Sequence, residues 1–231
     1  MNKPQILVFD VFGTVVDWHG SIVRELQVLD PQVDAPAFAR AWRAGYQPAM
    51  QRVRSGELPW TRIDDLHRLI LDEIAPTHGL GHLDEAQRHA LNRVWHRLDA
   101  WPDVLSGLQR LKAHFVISTL SNGNLSLLTH MAKRAGLPWD CILSAEVFKA
   151  YKPDPRAYLG VAETFEVPPE AVMLVAAHHD DLAAARACGL QTAYIERPTE
   201  FGADAVKDVS PRADNTLHAR DFNDLADALG A

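Results

Sequence analysis

Short apolar runs recur along the chain and predict buried strands. Each run is rich in branched residues, and a run of about four to eight such residues is typical of a strand covered on both faces. The runs lie at Gln5–Phe9, His114–Leu120, Ala171–Ala176 and Gln191–Ile195, with a shorter candidate at Cys141–Ser144. A sheet that is shielded from water on both sides is therefore expected.

Helical spacing of apolar residues separates these strands. Such patterns cover Asp103–Lys112, Asn124–Ala135, Pro155–Phe165, Asp180–Cys188 and Asp221–Leu229. Strands that alternate with helices predict an α/β fold, with an open parallel Rossmann-like sheet and helices on both faces. In such folds, ligands bind at the carboxyl ends of the strands.

The stretch from 17 to 101 breaks this alternation. It is rich in aromatic residues and predicts helices at about Ala35–Ser55, Trp60–Ile74 and Asp84–Leu98. We interpret residues 17–101 as a helical cap domain inserted into an α/β core domain that comprises residues 1–16 and 102–231. The polar segment Glu196–Ala219 is expected to wrap around the core.

Composition and charge exclude some classes of partner. The 231 residues carry a net charge of −7, so no basic surplus is present to neutralise nucleic acid or an anionic membrane. No apolar stretch is long enough to span a bilayer, and the amino terminus lacks the layout of a signal peptide. A cytoplasmic location is therefore expected.

Polar side chains follow two of the predicted strands. Asp10 comes directly after the first strand, before Gly13 and Thr14, and Ser121 and Asn122 follow the strand that ends at Leu120. Free backbone N–H groups in such turns favour an ionised carboxylate and can bind an anion. Taken singly, Asp10 could equally be an ordinary turn cap, and Ser121-Asn122 is more often a plain helix N-cap.

Two further groups complete the set. Lys152 precedes Pro153, and the local prolines fix the direction of the backbone beside it. Another predicted strand is followed by His178 and Asp181. A lysine beside Asp10 would keep that carboxylate ionised, although an isolated lysine is more often a solvated surface residue. Adjacent His and Asp residues seldom reach one ion together, so no metal site is expected.

The order of these four groups resembles the four motifs of the haloacid dehalogenase (HAD) superfamily, over about residues 5–16 and 100–200. The resemblance implies covalent catalysis by Asp10. Most members are magnesium phosphatases, with a second Asp where this chain has Phe12 and a further Asp where it has Ala177. Asp10 and Asp181 alone would hold magnesium poorly, so neither a metal nor another cofactor is expected.

The chain is more similar to the L-2-haloacid dehalogenase (type II) branch. The similar segments are Asp10 to Thr14 with Phe12 between them, Ser121-Asn122-Gly123, Tyr151-Lys152-Pro153-Asp154 with Tyr158, and Trp42-Arg43. This resemblance implies a small 2-haloacid substrate, preferably the L-enantiomer, and a homodimer.

The resemblance also implies a mechanism. Asp10 attacks C2 of the substrate and expels halide, and water then hydrolyses the resulting ester. In this scheme Lys152 keeps Asp10 anionic, Thr14 and Ser121 donate hydrogen bonds, and Arg43 and Asn122 stabilise the halide. Ser121 also seats the substrate carboxylate, and Phe12 and Tyr158 contribute to the substrate pocket.

Two positions depart from that branch. Ala176 and His178 stand where its members commonly have Ser and Asn. We hypothesise that His178, together with Asp181, assists hydrolysis of the ester by accepting a proton from water. Two alternatives stay open: a magnesium-dependent phosphatase of small metabolites, and a catalytically idle binding protein.

Overall fold

The computed structural model describes residues 3–231 and contains one six-stranded sheet and one short ribbon. The strands are β1 (Ile6–Phe9), β2 (Val16–Asp17), β3 (Asp99–Ala100), β4 (Val116–Ser121), β5 (Cys141–Ser144), β6 (Val172–Ala176), β7 (Gln191–Ile195) and β8 (Leu217–Ala219). The large sheet has the order β5-β4-β1-β6-β7-β8, and every neighbouring pair in it is parallel. The α/β fold predicted from the sequence is therefore confirmed.

Both faces of this sheet are covered. Alternate residues of β1 belong to two separate apolar clusters: Leu7 and Phe9 to one, Ile6 and Val8 to the other. This alternation follows from the two-residue period of a strand. A strand with no exposed face has an unbroken run of apolar residues, which explains why β1 could be predicted from the sequence.

Within the described residues, helices connect and cover these strands. They are α1 (Trp18–Leu29), α2 (Ala35–Ala44), α3 (Tyr46–Arg54), α4 (Ile63–Ile74), α5 (Glu85–Asn92), α6 (Val104–Lys112), α7 (Leu125–Ala135), α8 (Ala145–Phe148), α9 (Pro155–Thr164), α10 (His179–Ala187) and α11 (Phe222–Leu229). Helices α6, α7 and α11 contribute to the cluster on one face of the sheet, and α9 and α10 to the cluster on the other. None of the helices in this part of the chain is long and apolar enough to cross a membrane.

The single helix predicted over Ala35–Ser55 is wrong. The chain forms two helices, α2 and α3, that meet at Gly45. A Cβ atom at Gly45 would lie 2.5 Å from Cγ2 of Ile70, so the junction is set by the close approach of α4. Sequence periodicity along one helix carries no information about such a contact.

Other predicted bounds also need correction. Helix α4 begins at Ile63 rather than Trp60, and α5 ends at Asn92, where the chain continues as a 3₁₀ turn over Arg93–His96. The segment after Glu196 also contains a strand, β8, that the sequence did not predict. Strands β2 and β3 pair antiparallel where the chain leaves the core and returns to it after the inserted helices.

Candidate active site

The carboxyl ends of the central strands bring the predicted residues together. Strand β1 lies between β4 and β6, with Phe9 in register with Thr119 on one side and Val175 on the other. The backbone N–H of Asp10 donates to the carbonyl oxygen of Val175 (3.0 Å), so Asp10 extends the strand by one residue. Its side chain is consequently fixed at the centre of the sheet edge.

Asp10 accepts hydrogen bonds from three side chains. Lys152 Nζ lies 3.0 Å from its Oδ1, while Thr14 Oγ1 (2.9 Å) and His178 Nδ1 (3.2 Å) both bond to its Oδ2. Asp10 is 7% exposed, and burial alone would raise its pKa. The charges of Lys152 and His178 outweigh this effect and hold the pKa of Asp10 below its ordinary value. Asp10 is thus a buried carboxylate that stays ionised.

Lys152 connects Asp10 to a second buried carboxylate. Its Nζ also bonds to Asp181 Oδ2, and Tyr158 donates its hydroxyl proton to Asp181 Oδ1 (2.6 Å). Burial would lower the pKa of Lys152, but the two carboxylates raise it above its usual range. Burial and the nearby charge of Asp10 raise the pKa of Asp181. Lys152 therefore stays cationic, whereas Asp181 takes up a proton more readily than an ordinary aspartate.

Glu200 is a site residue that sequence reasoning missed. Its side chain is fully buried and accepts hydrogen bonds from His178 Nε2 at Oε1 (2.8 Å) and from Lys207 Nζ at Oε2 (2.7 Å). Burial would raise the pKa of Glu200, but His178 and Lys207 lower it to about 2. His178 therefore lies between two carboxylates, Asp10 and Glu200. Burial would lower the pKa of His178, but these two anions raise it to about 9.

Arg43 and Phe12 approach the site on the side of the inserted helices. The guanidinium of Arg43 lies over the ring of Tyr46 (4.3 Å to the centroid), and its buried Nε has no hydrogen-bond partner within residues 3–231. Phe12 packs edge-on against Trp95, with the ring centroids 5.7 Å apart. Arg43 thus lines the pocket beside aromatic rings, and it has no carboxylate partner among the described residues.

The two residues that follow β4 have different positions. Asn122 lines the pocket, and its Oδ1 accepts a hydrogen bond from the backbone N–H of Lys152 (2.8 Å). Ser121 is fully buried and does not line the pocket, and its Oγ accepts a hydrogen bond from the N–H of Gly123 (3.0 Å). The serine expected to seat the substrate carboxylate thus holds the turn that presents Asn122.

These side chains enclose a pocket of about 310 Å³. Its walls come from the strand ends and from helices α2 and α3, and its lining residues are Asp10, Phe12, Arg43, Tyr46, Gln47, Arg54, Asn122, Lys152, Pro153, Tyr158, His178, Asp180 and Asp181. Of the site residues predicted from the sequence, the structure brings Asp10, Phe12, Arg43, Asn122, Lys152, Tyr158, His178 and Asp181 to this pocket, and Thr14 lies behind Asp10. A pocket of this size accommodates a small organic acid.

The donor set does not fit a magnesium ion. Magnesium requires nearly octahedral oxygen ligands. Lys152 Nζ bonds to both Asp10 and Asp181, so a cation already lies between the two carboxylates that would have to bind the metal. Phe12 and Ala177, in the turns that follow β1 and β6, add hydrocarbon rather than oxygen ligands. Among residues 3–231, no cluster of three or more His, Cys, Asp or Glu side chains is arranged to hold a metal.

A family model and a sequence relative both indicate a haloacid dehalogenase-like hydrolase. A family model for haloacid dehalogenase-like hydrolases matches residues 4–189. The chain is 30% identical over 214 residues to (S)-2-haloacid dehalogenase 4A of Burkholderia cepacia, covering 87% of this chain and 88% of the relative.

Two solved structures are more similar in sequence. One is an L-2-haloacid dehalogenase with a TM-score of 0.93 and 46% identity, covering 99% of this chain and 100% of the other. The second is a defluorinating L-2-haloacid dehalogenase with a TM-score of 0.93 and 44% identity, covering 99% and 96% of the two chains.

Proposed function

The chain belongs to the haloacid dehalogenase-like hydrolases, and on that premise we propose that it hydrolyses the carbon–halogen bond of short 2-haloacids to give 2-hydroxyacids. Related enzymes act on (S)-2-haloacids, which supports the same substrate class here. The observation that carries the proposal is the position of Asp10, an ionised carboxylate beside Lys152 in a pocket that Arg43 also lines, with its Nε unpaired among residues 3–231.

Asp10 performs the first half of the reaction as a nucleophile. One of its oxygens forms a bond to C2 of the substrate while the carbon–halogen bond breaks, so the configuration at C2 is inverted. The electron pair leaves with the halide, and Arg43 and Asn122 stabilise the charge that develops there. Lys152 keeps Asp10 anionic until the attack takes place.

Water completes the reaction at the ester. It attacks the carboxyl carbon of Asp10 and releases the 2-hydroxyacid, which regenerates the carboxylate. Asp181 supports this step as proton acceptor, because burial raises its pKa and a bond to Lys152 fixes its position in the pocket. The scheme requires no cofactor.

A magnesium phosphatase is disfavoured by the site itself. Phosphoryl transfer needs strong neutralisation of the phosphate charge, which a metal ordinarily supplies. Lys152 Nζ already bonds to both carboxylates that could bind a metal, Asp10 and Asp181, and occupies the position between them as a cation.

The domain organisation, the cellular location and the oligomeric state also belong to this proposal. Residues 17–101 act as a cap over a core domain of residues 1–16 and 102–231, supported by the pocket lining from α2 and α3. The enzyme works in the cytoplasm, as the sequence predicts, which fractionation of cells that produce it would test. It forms a homodimer, supported by family resemblance and testable by light scattering.

A halide-release assay tests the function. The protein receives (S)- or (R)-2-chloropropionate, chloroacetate or fluoroacetate in the presence of EDTA, with Asp10→Asn as the control. Fluoroacetate is included because a 44% identical relative is defluorinating. We expect chloride and (R)-lactate from the (S)-substrate, and no halide from Asp10→Asn. Magnesium-dependent phosphate release without halide release would support the phosphatase. Ligand binding with neither activity would support an idle binding protein.

A further inference from the structure

Both ring nitrogens of His178 are already engaged. Nδ1 bonds to Asp10 Oδ2 (3.2 Å) and Nε2 bonds to Glu200 Oε1 (2.8 Å). Ionised carboxylates only accept hydrogen bonds, so both nitrogens act as donors and the ring is an imidazolium. A base that takes a proton from water needs a free nitrogen lone pair, which this geometry does not offer. The arrangement therefore argues against the proton-accepting role hypothesised for His178.

We propose that Asp10 Oδ2 becomes the carbonyl oxygen of the ester, that Thr14 and the protonated His178 form its oxyanion hole, and that Glu200 is the positioning residue that keeps His178 in this role. The inference deepens the proposed function and rests on it, since it concerns hydrolysis of the Asp10 ester. It assigns a task to Glu200, which lies behind the pocket.

The two oxygens of Asp10 differ in their hydrogen bonding. Oδ2 accepts from Thr14 and His178, whereas Oδ1 accepts from Lys152 alone. A carboxylate oxygen has about two lone-pair directions. Oδ1 therefore retains a free lone pair for attack on carbon, while Oδ2 is held by two donors throughout the reaction.

The proton of Thr14 is directed at Oδ2. The backbone N–H of Ala177 donates to Thr14 Oγ1 (2.9 Å), so that oxygen already accepts one hydrogen bond. Its own proton is then free for the 2.9 Å bond to Asp10 Oδ2. This donor is in place before the reaction starts, which is the property that makes an oxyanion hole effective.

Glu200 becomes important once the ester forms. In the free enzyme two carboxylates keep His178 charged, but alkylation neutralises Asp10. Glu200 then remains as the carboxylate bonded to His178. It is fully buried and also bonds to Lys207, so its position does not depend on the state of Asp10. A cationic donor stabilises an oxyanion more strongly than a neutral one.

The hydrolytic step balances as follows. Water forms a bond to Cγ of Asp10, one water proton passes to Asp181, and the π electrons of the carbonyl move to Oδ2. The tetrahedral intermediate collapses when Oδ2 re-forms the carbonyl and the bond between Cγ and Oδ1 breaks. Oδ1 leaves as the hydroxyl oxygen of the product, and Asp181 returns the proton to it. The second water proton is left on the new carboxyl group of Asp10 and is released to solvent when that group ionises again beside Lys152. His178 keeps both of its protons throughout.

Several charged groups other than its direct partners surround His178 and contribute to its titration. They are Lys152 beyond Asp10, Asp180 and Asp181 in the first turn of α10, and Lys207 behind Glu200. None of the cations bonds to the ring of His178 in the described part of the chain. The carboxylates at its two nitrogens therefore decide its charge.

Single-turnover kinetics on the enzyme and (S)-2-chloropropionate test the inference. Quenched samples are digested, and mass spectrometry measures the ester on the peptide that contains Asp10. This separates ester formation from ester hydrolysis. The variants are Glu200→Gln and His178→Asn. Glu196→Gln is the matched control. Glu196 lies four residues before Glu200 and also bonds to a histidine, His218 (2.7 Å), but neither residue lines the pocket.

We expect ester hydrolysis in the wild type and in Glu196→Gln to slow as pH rises and His178 loses its proton. In Glu200→Gln this decline should move to lower pH, with a loss of about 10- to 100-fold at pH 8.5. His178→Asn should be slower at neutral pH and should lack the decline. Ester formation should change less than hydrolysis in both variants.

Other results would overturn the inference. A hydrolysis rate that rises with pH, and loses the rise in His178→Asn, would make His178 a base. An unchanged pH profile in Glu200→Gln would remove Glu200 from the mechanism. If Glu200→Gln does not fold, His178→Asn decides alone, because its side chain is 19% exposed and tolerates replacement. A wild type that forms no ester would refute the proposed function itself.

Discussion

Replacing Lys152 with methionine should abolish most of the activity, because it leaves two buried carboxylates without their cation. Lys152 Nζ is 3.0 Å from Asp10 Oδ1, and its side chain is 6% exposed. At this distance the attraction is about 5 kcal/mol for an effective dielectric constant of about 20. Breaking a buried pair costs about 3–5 kcal/mol. If that energy is lost from the transition state, kcat/KM falls by about 10²- to 10⁴-fold.

The activity of Lys152→Met should also depend on pH differently from that of the wild type. Lys152 is the strongest influence that lowers the pKa of Asp10, while burial raises it. Without Lys152 the pKa of Asp10 rises, so the variant should gain activity as pH increases through the range in which the wild type is already fully ionised. The chloride burst of the first turnover, measured between pH 5 and 9, reports this effect without a contribution from ester hydrolysis.

A neighbouring lysine supplies the control. Lys149 is exposed and lies over the ring of Trp60, 5.4 Å from the centroid. Lys149→Met should keep its activity within about threefold, and thermal melting should show that both variants fold. A Lys152→Met enzyme that folds and retains more than a tenth of the wild-type kcat/KM would refute the reasoning.

Three further substitutions test halide stabilisation, the position of Glu200 and the packing of the core separately. Arg43→Gln should slow the halide burst by about 10²- to 10³-fold in stopped flow and leave ester hydrolysis nearly unchanged; equal loss in both steps would contradict its role at the halide. Gly13→Ala should lower the free energy of unfolding by about 1–3 kcal/mol, because φ is +89° and the new Cβ would lie 2.2 Å from Glu200 Oε1. The substitution should also slow ester hydrolysis, because it displaces Glu200. An unchanged hydrolysis rate would show that the position of Glu200 does not affect this step. Gly107→Ala should destabilise by about 1–3 kcal/mol in urea titrations, since its Cβ would lie 2.4 Å from Cβ of Phe222, but should keep full halide release.

The sequence predicted the central strands because burial on both faces leaves a local signal. Strands β5 and β7 have the predicted bounds, Cys141–Ser144 and Gln191–Ile195. Strand β8 gave no such signal. It has three residues, two of them half-buried, and it is a strand because it pairs with β7.

The candidate site likewise contains residues that could be predicted from the sequence and one that could not. Asp10, Asn122 and Asp181 follow strands, and the carboxyl ends of neighbouring parallel strands meet at one edge, so their proximity could be predicted. Glu200 could not be found, because nothing in its neighbourhood distinguishes it from Glu196. Its function depends on a contact with His178 that the path of the chain after β7 creates.

A single turnover in water enriched in ¹⁸O tests the covalent role of Asp10 most directly. Enzyme in excess over (S)-2-chloropropionate is allowed one turnover, and mass spectrometry then measures the label in lactate and in the peptide that contains Asp10. The ester mechanism predicts one ¹⁸O atom in the Asp10 carboxylate and unlabelled lactate. Label found only in lactate would show that water attacks C2 directly, and would contradict the assignment of Asp10 as the nucleophile.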